Sequence, residues 1–523
     1  MRHIAWFGAI LLAFAGCSAR PAFQPHVLRI ADASDPASLN PLLAHDQTTI
    51  GYDLLVTQTL VGLDARNRLV PILARRVPTR ANGDISKDGL TIRYRLRRNV
   101  RFADGVPFTS ADVAFTLRAI LDARNPVLSQ DAYRRIASLR TPDAHTVVIT
   151  LKRRWNAAVR ELFAESDFAF GILPAHAFAS TDLSHAPWED HAFGTGPFRV
   201  THWQRGGRIV LERNPYFRPR PKLDRIVLEM MPDIDSTFVA LRTGGVDTMM
   251  LDADQVSQAR ALPGIRVLRT PLNGVMWLTL QSGSGPTADP LVRRAIARAL
   301  DVGEIERRYH GLFPRAASFI PPVMAGFDAH LAPPHQNLVR AGRLLDRAGW
   351  RLVHGVRVKA GKPLRLLFVT EPGPLAGIEP IVQRQLAAAG IQTTIKSYPT
   401  ATFNAPSGPV RSGRFGISAD GFIGGSDPEQ SVVFACGQIG PDGNNIARFC
   451  DPAFDALYAD QATTGSEERR RADFVAMQRS IATERPIVPL NDLLDFDALS
   501  GHVHGFARNM LEYPVAAEAW DVR

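Results

Sequence analysis

Several segments of this sequence carry residue types that catalysis uses, but each falls short of a complete catalytic arrangement. Gly416, Ser418 and Asp420 approach the Gly-x-Ser-x-Gly turn that presents a nucleophilic serine, yet Asp420 stands where the second glycine belongs. His502 and His504 can place two imidazoles on one side of a strand, but a zinc site needs further ligands. The signatures of zinc proteases, P-loops and dinucleotide sites are absent from the sequence. We therefore expect no enzyme, no resident metal and no other cofactor.

Cys436 and Cys450 are separated by a segment rich in turn-forming residues, among them Gly437, Gly440 and Pro441. Such a segment allows the chain to double back and bring the two sulfur atoms together. A zinc site is the competing interpretation, but no histidine and no further cysteine lies close to either residue in the sequence. In an oxidising compartment we expect the two cysteines to form a disulfide.

The N-terminal segment predicts export. Arg2 precedes an apolar run from Ile4 to Ala15, which is too short to cross a bilayer as a stop-transfer helix. Phe14-Ala15-Gly16-Cys17 resembles the lipobox of bacterial lipoproteins, in which the cysteine becomes the lipidated first residue, although leucine is usual where Phe14 stands. We expect a signal peptide over residues 1–16 and a periplasmic or cell-envelope protein anchored through Cys17. Ordinary secretion is the alternative.

Length and charge narrow the classes of protein further. A chain of 523 residues with 45% hydrophobic residues exceeds what one core usually organises, so we expect two or three domains. The net charge of +10 raises the question of nucleic acid as a partner. Basic and acidic residues alternate along the chain, however, as they do on ordinary solvated surfaces. We expect no binding to nucleic acid.

Strand-like and helix-like segments alternate, which predicts the α/β class. The predicted strands are Val27 to Ala31, Leu90 to Leu96, Val147 to Leu151, Arg208 to Glu212, Ile226 to Met230 and Leu364 to Thr370. Capping residues predict a helix from Thr109 or Ser110 to Leu121 and another from Pro290 to Tyr309. Gly349 and Gly390 are predicted to end two more helices, and Asp451 and Ser466 to begin the last pair.

A series of short strings resembles, in order, the family 5 extracellular solute-binding proteins, which are the peptide, nickel and oligosaccharide receptors of ABC importers. Any one string is weak, but their shared order over the chain is specific. The strings are Asp35-Pro36, Leu39-Asn40-Pro41, Leu73-Ala74, Asp88-Gly89, Tyr94 to Arg97, Val100 to Phe102, Asp104-Gly105, Pro107-Phe108, Ala111-Asp112-Val113, Gly194 to Phe198, Leu211 to Tyr216 and Pro221 to Asp224.

The resemblance implies a bilobal fold like that of periplasmic binding proteins, with two lobes joined by two crossing strands and an extra subdomain in the first lobe. The expected boundaries for lobe one are residues 17–60, 190–271 and 489–523, with the subdomain over 61–189, and lobe two takes 272–488. Leu268 to Trp277 and Arg485 to Leu490 are strand-like and carry proline at their edges, which favours the same divisions. Two crossing strands form a hinge that permits closure around a solute.

The family's ligand-facing stretch corresponds to Phe422 through Pro428. In dipeptide and oligopeptide receptors an acidic residue three positions before the aspartate of Asp-Pro binds the α-ammonium of the ligand, and here that position is Gly424. Asp427 precedes Pro428, so a helix N-cap is expected in preference to a ligand group. Asp420 can supply a displaced carboxylate.

Phe422, Trp277 and Asn40 are expected as walls of the ligand site, with Asp420 and Asp427 as its acidic candidates. Each has a core, turn or capping role as the alternative. An α-ammonium buried without a counter-charge carries a desolvation penalty of several kcal/mol. Short peptides with a free amine are therefore expected to bind poorly, and the solute, peptide-like or other, is expected to be held by stacking and hydrogen bonds.

The function implied by the resemblance is that of a monomeric receptor that delivers its solute to ABC permease subunits in the inner membrane. A cysteine pair at matching places in the dipeptide-binding relatives supports the disulfide between Cys436 and Cys450. An envelope protein of the same fold that senses a solute or assists folding is the alternative. Permease and ATPase genes beside this one would favour transport over that alternative.

Lipidation of Cys17 is tested by labelling cells with a fatty-acid analogue. We expect label in the wild-type protein and none in Cys17→Ala, because the cysteine thiol is the acceptor. Equal labelling of the two proteins would contradict a lipid anchor at this residue.

Overall fold

The protein is described from a computed structural model. The structure describes residues 24–44, 46–127, 129–167, 169–178, 183, 188, 191–373, 377–440 and 443–523. The predicted signal peptide and Cys17 lie outside these residues. Among the described helices, none has both the length and the apolar character needed to cross a membrane.

Strands and helices alternate along the described chain. The strands are β1 (Val27–Asp32), β2 (Val61–Leu63), β3 (Leu69–Pro71), β4 (Thr91–Arg95), β5 (Ile136–Asp143), β6 (Thr146–Leu151), β7 (Phe198–Gln204), β8 (Arg208–Arg213), β9 (Arg225–Met230), β10 (Thr248–Met250), β11 (Ile265–Leu280), β12 (Arg351–Val353), β13 (Val356–Lys359), β14 (Lys362–Pro363), β15 (Arg365–Thr370), β16 (Gln392–Ser397), β17 (Ile417–Ile423), β18 (Ile487–Ser500), β19 (Val503–His504) and β20 (Asp521–Val522). The helices are α1 (Gln47–Val56), α2 (Ser110–Leu121), α3 (Asp131–Arg134), α4 (Ala158–Glu161), α5 (Ala175–Phe178), α6 (Ile234–Thr243), α7 (Ala253–Ala261), α8 (Pro290–Ala299), α9 (Val302–Arg308), α10 (Leu338–Arg347), α11 (Glu379–Ala388), α12 (Thr400–Phe403), α13 (Pro409–Ser412), α14 (Pro452–Thr463) and α15 (Glu467–Glu484). Each of the six predicted strands is confirmed, as β1, β4, β6, β8, β9 and β15.

Local capping explains where the helices begin and end. Thr109 caps α2 with a reciprocal pair of bonds, since its side chain accepts from the Ala111 amide while the Asp112 carboxylate accepts from the Thr109 amide. The prediction of one helix from Pro290 to Tyr309 is wrong. Leu300 is extended, with φ −89° and ψ 132°, which ends α8, and Asp301 then caps α9 through the Gly303 amide. A second capping residue inside the predicted helix therefore divides it.

A ten-stranded mixed sheet runs through the molecule in the order β16-β15-β17-β11-β18-β10-β1-β9-β8-β7. On one side β1 pairs in parallel with both β9 and β10. On the other side β15 pairs in parallel with β16 and β17. The two long strands β11 and β18 lie antiparallel between these groups and pair from Ile265 with Ser500 to Thr279 with Ile487. They join the two halves of the sheet.

The sheet divides the fold into two lobes. Lobe one carries β1 and β7 to β10, together with a subdomain built on the three-stranded sheet β4-β6-β5 and the hairpin of β2 with β3. Lobe two carries β15 to β17 and the helices from α8 to α15. One apolar core lies in lobe one, another in lobe two, and a third takes side chains from both, including Ile50 and Leu54 from lobe one and Trp277 and Phe434 from lobe two.

Gly194 and Gly196, which belong to the family-like string Gly194 to Phe198, allow two backbones to approach closely. A methyl group at Gly194 would lie 2.4 Å from the Val56 carbonyl oxygen, and one at Gly196 would lie 2.6 Å from it. The Gly196 amide donates to that same oxygen at 2.8 Å. The segment therefore packs directly on the C-terminal end of α1, where no side chain fits.

The predicted disulfide between Cys436 and Cys450 is present, with Cα atoms 4.6 Å apart. The Cys436 amide also donates to Asp455 Oδ1 at 3.0 Å, which ties the bridge to α14. The bridge therefore closes the turn-rich segment at the edge of lobe two.

Alkylation of the protein unfolded without reductant tests this bridge. We expect peptides containing Cys436 and Cys450 to remain unlabelled until a reductant is added, because sulfur atoms joined in a disulfide are not thiols and do not react with the alkylating reagent. The bridge closes a loop of about fifteen residues, which contributes roughly 3 kcal/mol to stability. Labelling of both thiols before reduction would contradict the prediction.

Candidate functional site

The parallel strands β1, β9 and β10 end at a common edge of the sheet in lobe one. Helix α6 leads from β9 to β10 and passes over β1, so the strand order reverses here. Open α/β sheets bind ligands outside the carboxyl ends of their strands at such a switch point. A cavity of about 420 Å³ lies at this edge. Its lining includes Asp32, Met231 and Met250, which stand at or just after the three strand ends.

Polar groups on one side of this strand-end cavity are engaged with one another. The Tyr52 hydroxyl donates to Asp32 Oδ2, and burial, together with the adjacent carboxylate, raises the pKa of Tyr52 well above its ordinary value. Arg508 lies 3.2 Å from Asp497 Oδ1 on β18, so its charge is balanced from behind the cavity. Burial raises the pKa of the neighbouring Glu512. The polar groups of the cavity are therefore paired, Tyr52 with Asp32 and Arg508 with Asp497.

Apolar side chains form most of the remaining lining. Leu55, Met249 and Phe506 form part of the buried or half-buried wall. Ile234 and Met250 are 41% and 39% exposed, which is high for residues of this type, and they border the opening. Methionine adapts its shape to varied partners. The cavity suits a solute with an apolar body of modest size.

The structure brings two of the predicted wall residues, Trp277 and Phe422, together in lobe two. They lie on adjacent strands β11 and β17, and their rings are nearly parallel, with centroids 6.5 Å apart and planes inclined by 12°. Trp277 is 5% exposed and Phe422 is half-buried. Both belong to the apolar core that both lobes share. They form a stacked pair on the face of lobe two that meets lobe one.

Asp420 lies beside this aromatic pair, because it stands opposite Trp277 in the strand register. The Trp277 indole donates to Thr279 Oγ1 at 3.1 Å, and the Thr279 hydroxyl donates to Asp420 Oδ1 at 2.7 Å. Burial raises the pKa of Asp420 to about 7, despite these bonds. Burial therefore favours the neutral acid at Asp420 more than at an exposed aspartate.

Asp427 caps the short 3₁₀ helix Pro428–Phe434 by accepting from the Glu429 amide at 3.2 Å, so the capping role predicted by the Asp-Pro pair is confirmed. The sequence did not reveal its second role. Both oxygens of the buried carboxylate accept from the Arg470 guanidinium, at 2.5 and 3.1 Å. Arg160 of lobe one approaches the same carboxylate at 4.0 Å. Asp427 is thus held by one arginine from each lobe.

Asn40 is fully buried in a turn of lobe one. Its amide nitrogen donates to the Leu183 carbonyl at 2.9 Å, and its amide oxygen accepts from the Leu42 backbone at 3.1 Å. Both ends of the amide are occupied, which corresponds to the turn role that was the alternative for this residue.

Gly424 forms a backbone contact between β17 and β11. Its amide donates to the Asn273 carbonyl at 2.7 Å, and the Asn273 side chain in turn donates to the carbonyl of Gly425 at 2.5 Å. The Asp167 carboxylate of lobe one lies against Gly425, and burial raises the pKa of Asp167 to about 7. The described residues contain no group of three or more His, Cys, Asp or Glu side chains arranged to hold a metal ion.

Sequence reasoning missed the strand-end cavity. Asp32 could have been found, because it directly follows the predicted strand Val27 to Ala31, and its parallel neighbour β9 was also predicted, although β10 was not. Tyr52 and Arg508 could not, because they reach the cavity from a helix and from a C-terminal loop that are distant in sequence. Their contribution depends on the tertiary fold.

Comparison with known proteins agrees with this architecture. The model of the family "Bacterial extracellular solute-binding proteins, family 5 Middle" matches residues 68–440. Di/tripeptide-binding protein 2 of Pseudomonas aeruginosa is 26% identical over 530 residues, 96% of each chain. A putative ABC transporter peptide-binding protein of Brucella ovis is 28% identical over 449 residues, which cover 83% of this chain and 80% of the relative.

Solved structures share the fold at lower sequence identity. NikA from Brucella suis, in complex with Fe(III)-EDTA, superposes with a TM-score of 0.83 at 22% identity and covers 95% of this chain and 100% of its own. DppA from Helicobacter pylori, in complex with the peptide STSA, gives a TM-score of 0.75 at 23% identity and covers 95% and 98%. The chain therefore belongs to the bacterial extracellular solute-binding proteins of family 5.

Proposed function

We propose that this protein is the solute-binding receptor of an ABC importer, which captures a small solute between its lobes and delivers it to permease subunits in the inner membrane. The observation that carries the proposal is the two-lobed fold, in which an apolar core is shared between the lobes and the strand-end cavity of lobe one opens at the switch point of β1, β9 and β10. The names of the two relatives, which refer to peptides, support a peptide-like solute. Binding without catalysis is sufficient for this role.

Hinge closure is supported by the geometry of β11 and β18. Their pairing is continuous from Ile265 to Pro271 and then shifts register before Val275, with a second shift between Met276 and Trp277. A strand that loses regular pairing bends more easily at that point. The hinge is therefore placed at these two irregularities, where the sheet passes from lobe one into lobe two.

The proposed solute has an apolar body and neutral hydrogen-bonding groups. Asp32 accepts a hydrogen bond from Tyr52, and the charge of Arg508 is balanced by Asp497, so both groups already have protein partners beside the strand-end cavity. Trp277, Phe422 and Asp420 are proposed to form the lobe-two side of the cleft, because they share one face of the sheet. Asn40 and Asp427 are proposed to shape the cleft through their internal bonds.

The proposal extends to the location, the oligomeric state and the lobe boundaries of the mature protein. The mature chain is taken to begin at Cys17, to be lipid-anchored in the cell envelope and to act as a monomer. Lobe one is taken to comprise residues 17–271 and 489–523, including its subdomain at 61–189, and lobe two to comprise residues 272–488. The first register shift of β11 against β18 follows Pro271, and the second precedes Trp277, which pairs with Pro489, so both irregularities support these boundaries.

Peptide chemistry is tested by a binding screen of di- and tripeptides, sugars and metal chelates. We expect unmodified short peptides to bind poorly, because Gly424 supplies no carboxylate, Asp427 is committed to Arg470, and Asp420 is bonded to Thr279. A solute at about a hundred times its Kd stabilises the folded protein by roughly 2.7 kcal/mol, which a thermal shift detects.

Peptides with an acetylated amine are the matched control ligands for this screen. Micromolar binding of the free-amine peptides that acetylation abolishes would contradict the expectation. Asp167→Asn would then identify the responsible group, since this carboxylate lies against Gly425.

A further inference from the structure

A second cavity, of about 740 Å³, lies between the subdomain of lobe one and lobe two. It shares no lining residue with the strand-end cavity. Its walls include residues 77–80 and 154–160 from the subdomain and residues 465–474, around the start of α15, from lobe two. We call it the arginine cavity, because its lining contains Arg80, Arg154, Arg160, Arg470 and Arg471.

Positive charge is in excess in this cavity, since the five arginines face the carboxylates of Asp427, Glu467 and Glu468. Asp427 is already bonded to Arg470 and approached by Arg160. Glu467 and Glu468 occupy the first turn of α15, where negative charge stabilises a helix. Glu467 also acts electrostatically on Arg470. The carboxylates that line the cavity therefore compensate positive charge near Arg470, on the lobe-two side of the cavity.

Arg80 and Arg154 converge on the opposite side. A methyl group at Gly89 would lie 2.9 Å from Arg154 Nε and 3.3 Å from Arg80 Nη2, so both guanidinium groups meet over one glycine. Arg80 Nη1 donates to the Gly465 carbonyl across the lobe interface at 2.9 Å. Burial and the charge of Arg80 lower the pKa of Arg154, while Asp88 raises it. Two like charges are thus held together at the junction of the lobes.

This arginine pair retains unused hydrogen-bonding capacity. Arg154 Nε is buried against Gly89 and, within the described part of the chain, donates no hydrogen bond, so it reaches an anion only if the guanidinium group turns away from Gly89. Asp88 is the nearest source of negative charge for Arg154, but its Oδ1 oxygen accepts from the Ser86 hydroxyl and the Leu90 amide. Two guanidinium groups with free donors match the oxygen geometry of a carboxylate or a phosphate.

We propose that the arginine cavity binds an oxyanion, either a carboxylate or a phosphate group, between Arg80 and Arg154. The anion neutralises the two like charges and accepts the hydrogen bonds that they leave unused. Both arginines belong to the subdomain of lobe one, and Arg80 also bonds the Gly465 carbonyl of lobe two, so the bound anion lies at the junction of the lobes. The proposed anion site is separate from the strand-end cavity. Its test therefore does not depend on the identity of the transported solute.

The test is isothermal titration of the full chain with inorganic phosphate and, separately, with succinate, each at constant ionic strength. We expect saturable binding of at least one anion to the wild type, and the stronger of the two identifies the preferred oxyanion. Arg154→Gln and Arg80→Gln should each weaken binding about tenfold or more, because each removes one charged donor. Arg154→Lys keeps the charge without the planar fork and should bind with intermediate affinity.

Arg153→Gln is the matched control, because Arg153 is an exposed neighbour outside the cavity lining. It should bind as the wild type does, and thermal melts of all variants should show cooperative unfolding. Equal affinity in the wild type, Arg154→Gln and Arg80→Gln would overturn the proposal, as would the absence of binding by either anion. A solute that binds normally to Arg154→Gln would leave the receptor function intact and separate the two proposals.

Discussion

The antiparallel pairing of β11 with β18 is the constraint on which the remaining architecture depends. Both strands are long, and the lobe-one strand β10 pairs with β18 while the lobe-two strand β17 pairs with β11. Backbone hydrogen bonds therefore fix the relation between the two halves of the sheet near the crossing. Farther from it, the lobes are free to separate unless side chains hold them together. The shifts in register beside Val275 locate the bending in these two strands.

Side-chain contacts hold the lobes together away from that crossing. The Arg160 guanidinium donates to the Ser426 carbonyl at 3.0 Å, and the Ser426 hydroxyl donates back to the Arg160 carbonyl at 3.0 Å. The Trp155 indole donates to Glu429 Oε2 at 2.8 Å. The Asp427 carboxylate, which the Arg160 guanidinium approaches to 4.0 Å, adds a charged contact between the lobes. Removing one partner of a buried ion pair leaves the other charge buried and unpaired, which is strongly unfavourable. When the lobes open, however, water reaches both charged partners. The contacts can therefore stabilise closure and still allow release.

Local features of the fold could be predicted from the sequence, and contacts between distant segments could not. The Thr109 and Asp427 caps were recognised because a cap depends on the few residues that follow it. The break between α8 and α9 was missed because Asp301 resembles an ordinary polar residue within a helical pattern. The partners of Asp427 and the lining of the strand-end cavity come from remote parts of the chain. Trp277 and Phe422 were singled out as walls of the ligand site, and that role stays a prediction; their stacking depends on a strand register that one sequence does not reveal.

If β11 and β18 form the hinge, the contacts of Arg160 with Ser426 and Asp427 hold the lobes closed about it. Small-angle X-ray scattering of the wild type, Arg160→Ala and the control Arg153→Ala measures this directly. We expect the wild type and Arg153→Ala to share one radius of gyration, and Arg160→Ala to have a larger one while remaining folded, because its lobes separate. An identical scattering profile for all three proteins would show that Arg160 does not hold the lobes together.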